Sequence, residues 1–170
     1  MNIKSFCFLL CVTFIVTGCF ISAGTHGSLK NYQYAIKKED LQRAIMKVIK
    51  NNPNIYRDTS LDNSSAHASI DSTGAHYYND IKNYVTIKIT SGQIVNEYTF
   101  RYYGDDEYWK TSGSSEIFIC YAFDKNHKGG SEGNGGVTKE MLKGFTDVFE
   151  KEFISKIDRE LNLTHTDETN

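Results

Sequence analysis

The sequence predicts an α+β fold: a two-layer sandwich whose antiparallel sheet of three or four strands carries two helices on one face. Two observations lead there. Apolar residues recur at helical spacing over 39–52 and again over 139–161. Between them, over 84–124, apolar and polar residues alternate, and turn residues break the stretch at short intervals.

Each element has its own signal. In the first helix Leu41, Ile45, Val48 and Ile49 fall on one face. Glu39 and Asp40 suit its N-terminus, Lys47 and Lys50 its C-terminus, and Asn51-Asn52-Pro53 stops it. From Tyr84 to Thr90 a strand places Val85, Ile87 and Ile89 on one face, and Ser91-Gly92 turns the chain. The next strand, Ile94 to Tyr103, sets Tyr98, Phe100 and Tyr102 opposite Glu97, Thr99 and Arg101. Gly104-Asp105-Asp106 makes another turn, and Glu107 to Thr111 reads as a short third strand. Ser115 to Asp124 is apolar on both faces and belongs at the sheet centre with both sides at least partly covered. Lys125 to Gly136 contains five glycines and reads as a loop. Thr138 caps the last helix, in which Met141, Phe145, Phe149, Phe153, Ile157 and Leu161 stand four residues apart. Four residues overshoot one turn of 3.6, so this stripe winds around a straight helix. Asp58 to Asp80 is polar and carries no predicted element, and Thr164 to Asn170 reads as a polar tail.

The first twenty residues follow a different pattern. Lys4 precedes an almost wholly apolar run from Ser5 to Val16, and Thr17-Gly18-Cys19 follows. A charged start, a short apolar core and small residues at the end form a secretory signal. The run is shorter than the ~20 apolar residues a membrane-spanning helix needs. Val16-Thr17-Gly18-Cys19 resembles the lipobox of bacterial lipoproteins. That resemblance implies cleavage before Cys19, a diacylglycerol on its sulfur and acylation of the new amine. It covers the export signal alone. In that family an Asp directly after the Cys holds some members at the inner membrane. Phe20 stands there in this chain, which implies an outer membrane with the protein facing the periplasm. The expected organisation is a signal peptide over 1–18, a lipid-anchored tether over 19–31, a single domain over 32–163 and a tail over 164–170.

Loss of Lys4 with the signal takes the net charge from −2 to −3. A net-acidic domain is not expected to bind nucleic acid or to grip anionic lipid through a polybasic patch. Of the four cysteines, Cys7 and Cys11 leave with the signal and Cys19 takes the lipid. Cys120 remains alone within an apolar strand, where a buried thiol is expected.

Chemistry-bearing motifs are sparse. No His pair lies in HExxH, and the Gly129–Gly136 segment fits neither GxGxxG nor a P-loop. Asp105-Asp106-Glu107 lacks the acidic spacing of a calcium loop. The expectation is therefore a protein without catalytic residues, metal or cofactor. Aromatic residues make up 13% of the chain, with eleven Tyr. Tyr and Trp dominate binding hot spots because they bury a large rigid area and keep a polar tip. Tyr98, Tyr102, Tyr103, Tyr108 and Trp109 are the candidates for a partner-binding sheet face. The expected partner is another envelope protein, in an accessory or immunity-type role; the alternative is a small ligand or glycan on the same face.

Overall fold

The computed structural model describes residues 28–59, 84–131 and 136–167. The signal peptide, Cys19, most of the tether and most of the polar 58–80 segment lie outside the described residues. The described chain is of the α+β class, and its sheet is antiparallel throughout.

The central alternation becomes a hairpin. Strand β3 (Tyr84–Ser91) pairs with β4 (Ile94–Tyr102) in an unbroken register from Tyr84↔Arg101 to Ser91↔Ile94. Gly92, at φ 63°, turns the chain between them. Strand β5 (Ser115–Asp124) pairs with the far side of β4. Its partners run Thr99↔Tyr121 and then Phe100↔Ile119, so Cys120 is an extra residue in a β-bulge. The bulge reverses the phase of the alternation. Ile117, Ile119 and Ala122 therefore share one face, while Phe118, Tyr121 and Phe123 share the other.

The sheet is wider than the three or four strands the sequence predicts. Two four-residue strands extend it: β1 (Asn31–Tyr34) pairs with β5, and β2 (Ile55–Asp58) pairs with β3. The strand order is β1-β5-β4-β3-β2. A two-residue strand, β6 (Gly129–Gly130), joins β5 beyond β1, inside the segment predicted to be a loop. A Cβ at Gly129 would stand 2.0 Å from the Ala122 carbonyl oxygen, so glycine is required for this approach.

Helix α1 (Lys38–Asn51) follows β1 and buries Leu41, Ile45, Val48 and Ile49, the predicted face, together with Ala44. Asn52 ends it, its side-chain amide donating to the Val48 carbonyl at 2.6 Å. The residues predicted as a third strand form helix α2 (Asp106–Thr111) instead. The Asp105 carboxylate caps it, accepting from the backbone N–H groups of Glu107 and Tyr108, and two acids in its first turn add to the cap.

The last helix starts where Thr138 caps α3 (Lys139–Phe149), then passes through a π-helical turn (Glu150–Ile154) into α4 (Ser155–Leu161). Phe145, Phe149, Phe153 and Ile157 are all buried. Phe149 lies 4.9 Å from Tyr98 and Phe153 lies 5.5 Å from Phe100, between ring centroids, so this helix packs on the face of β4 that holds those two residues. Helices α1 and α4 also touch, and Lys47 and Glu160 join them in an ion pair.

The fold reaches further at both ends than 32–163. Leu29 is buried and donates its N–H to the Ile119 carbonyl. At the other end Thr166 pairs with Gln33. Among the described residues no helix is long and apolar enough to cross a membrane.

Candidate functional site

Strand alternation divides the candidate aromatic residues between two environments. Tyr98 and Tyr102 point to the side of the helices and are 0% and 1% exposed. The Tyr98 hydroxyl donates to the Phe145 carbonyl at 3.0 Å and accepts from the Asn96 amide at 2.9 Å. Burial raises the pKa of both tyrosines. Neither can meet a partner, so their assignment to a binding face is corrected: they are core residues. The sequence pattern contained this split, since Tyr98 and Tyr102 share a parity with Phe100.

Tyr103, Tyr108 and Trp109 lie elsewhere. Tyr103 follows β4 and falls on the opposite parity, at the end of the strand. There its N–H still donates to the Glu116 carbonyl. Tyr108 stands edge-on to it, with ring centroids 5.5 Å apart and an 89° angle between rings. The two are 37% and 36% exposed. Trp109 is half-buried against the core, and its indole N–H donates to the Tyr103 carbonyl at 2.7 Å. The Lys38 ammonium sits 3.0 Å from the Trp109 ring centroid and 5.3 Å from that of Tyr102. Gly104 makes the cluster fit: its φ is 94°, and a Cβ there would be 2.3 Å from the Tyr108 ring. The turn and capped helix α2 thus hold three aromatic rings in fixed relation at one end of the sheet.

No family model, curated protein or solved structure matches this chain.

The second face of the sheet holds further aromatic residues, Tyr84, Phe118, Tyr121 and Phe123. Arg101 lies between Tyr84 and Phe118, its guanidinium carbon 5.7 Å and 4.8 Å from their ring centroids, and one of its N–H groups donates to the Tyr84 hydroxyl. Tyr121 and Phe123 lie nearly parallel, 6° apart, with centroids at 6.5 Å. Lys88 pairs with Glu97 across β3 and β4, and the Thr86 and Thr99 hydroxyls meet at 3.0 Å. The signal for this face was present in Ser115–Asp124, apolar on both sides, but the phase change at Cys120 hid which residues share it.

Cys120 itself is mostly buried. Desolvation pushes its thiol up to about 12, with Arg101 partly opposing, so the thiol is protonated and a poor nucleophile at neutral pH. Asp105 and Asp106, considered for a cation, serve the cap and first turn of α2. Among the described residues no group of three or more His, Cys, Asp or Glu side chains is placed to hold a metal ion. His26, His67 and His76 lie outside the described residues.

Proposed function

We propose that this chain is a bacterial envelope lipoprotein, anchored through Cys19, that binds a protein partner through the Tyr103-Tyr108-Trp109 end of its sheet and the adjoining second face. On this reading it is non-enzymatic and stands on the periplasmic side of an outer membrane. The layout is that of a two-layer sandwich, with both long helices on the Tyr98 face, leaving the second face for the partner.

The single observation that carries the binding site is the pair of partly exposed tyrosines locked edge to face. Aromatic side chains at a surface give much contact area for little lost rotamer freedom. Here that freedom is already reduced by the Trp109–Tyr103 hydrogen bond and the Gly104 turn. Rings held in place before binding keep more of their contact energy as affinity. Arg101 between Tyr84 and Phe118 extends the surface with a residue type enriched in hot spots.

The test is a photo-cross-linking amino acid at position 108 in cells, followed by capture of tagged protein from solubilised membranes. The reading predicts one dominant cross-linked species, lost in Tyr103→Ala while the melting temperature is kept. The same species in Tyr103→Ala, or none in wild type, contradicts it. In the alternative of a ligand or glycan, no protein adduct forms.

A further inference from the structure

The outer edge of β1 is a hazard that residues 165–167 help to cover. Strand β1 reads Asn-Tyr-Gln-Tyr: no charge, no proline, and two large aromatic residues. Among the described residues it ends the strand path, and no full strand pairs with its outer edge. Uncharged strands of high β-propensity that contain Asn or Gln recruit identical strands, because their side chains ladder and their free backbone groups pair. The opposite edge strand, β2, carries Arg57 and Asp58, charges that discourage such pairing.

At β1 the protection comes from residues 165–167. The αL conformation of Asn162 turns the chain out of α4. Thr166 then meets Gln33 antiparallel, each N–H donating to the other's carbonyl at 2.9 Å. His165 seats edge-on against Tyr32, with centroids 5.4 Å apart, and its Nδ1 is 2.9 Å from the Asp158 carboxylate. Asp167 reaches Lys30 at 3.1 Å, and Lys30 also pairs with Glu150 at 2.5 Å. The segment is thus fixed on both sides of the backbone pair.

We propose that His165–Asp167 is an edge guard, and that the β1 edge beneath it is a homotypic strand-pairing surface whose occupant, once the guard lifts, is β1 of a second copy. The two Gln33–Thr166 hydrogen bonds are replaced by the equivalent pair between two β1 strands about a two-fold axis, a self-complementary contact.

Sedimentation of the purified full-length chain, of a chain ending at Leu163, and of full-length Asp167→Lys tests this, all in one detergent. The guard predicts monomeric wild type and a concentration-dependent doubling of mass in both variants. Adding Gln33→Pro to each should restore the monomer, because that N–H faces the guard and not β5. Three results overturn the proposal: dimeric wild type, variants that melt cooperatively yet stay monomeric, or dimers that survive Gln33→Pro. If the shortened chain does not melt cooperatively, Asp167→Lys decides by the same criteria.

Discussion

Tyr98 shows how strongly one oxygen can be committed. Its hydroxyl donates to a helix carbonyl and accepts from Asn96 with the ring wholly buried. Tyr98→Phe keeps the ring and strands both partners, which should cost about 1–3 kcal/mol in urea unfolding. A loss near zero would mean the two partners find other hydrogen bonds. Cys120 gives a second residue-scale prediction. Its folded-state pKa is raised above the ordinary thiol value, so its contribution to stability is complete below that ordinary value and is lost as pH rises toward about 12. At pH 8 the native protein should therefore alkylate at least tenfold more slowly than the urea-unfolded protein. Equal rates would refute the buried assignment. At this scale the alternation of β4 was legible in the sequence, since Tyr98, Phe100 and Tyr102 share a parity. The face they line was not, because Tyr suits both a core and a binding surface.

The helix from Lys139 to Leu161 is the clearest case at the scale of elements. Each four-residue step overshoots by about 40° on an α-helix of 3.6 residues per turn. The stripe of Phe145, Phe149, Phe153 and Ile157 stays buried because the Glu150–Ile154 turn is a π-helix, whose wider turn takes up the overshoot. The spacing was visible in the sequence; the device that absorbs it was not, since a winding stripe was the simpler outcome. Gly144 on this helix is exposed, and nothing lies within 4 Å of a Cβ placed there. Gly144→Ala should add about 0.5–1 kcal/mol in chemical unfolding. A loss would show that the position makes contacts the structure lacks. Glu152 links the helix to the hairpin by accepting from Ser91, and Lys156 one turn on in the same helix together with Ser91 holds its carboxyl below the usual range. Its contribution is present above the unfolded-state value of ~4.3 and is lost as pH falls through the lower folded value. The gap in melting temperature between wild type and Glu152→Gln should therefore close on acidification below about pH 4; a constant gap would point to packing.

For the whole molecule, composition and pattern led to the α+β class and to the β3–β4 hairpin within a residue at each end. They missed β1 and β2, whose four residues are too few for alternation to stand out, and β6, which exists because Gly129 lacks a side chain. They also took α2 for a strand, since Tyr108 and Trp109 favour strands while the decisive Asp105 cap depends on the turn before it. The proposed anchor belongs to this scale too. Strand β1 begins just after Leu29, so a lipid on Cys19 would hold the domain by the strand that the C-terminus guards. Radiolabelled palmitate incorporation, read together with membrane fractionation, compares wild type with Cys19→Ala most directly. The account predicts a labelled wild type in the outer-membrane fraction and an unlabelled variant. An unlabelled wild type, or label that persists in Cys19→Ala, would contradict it.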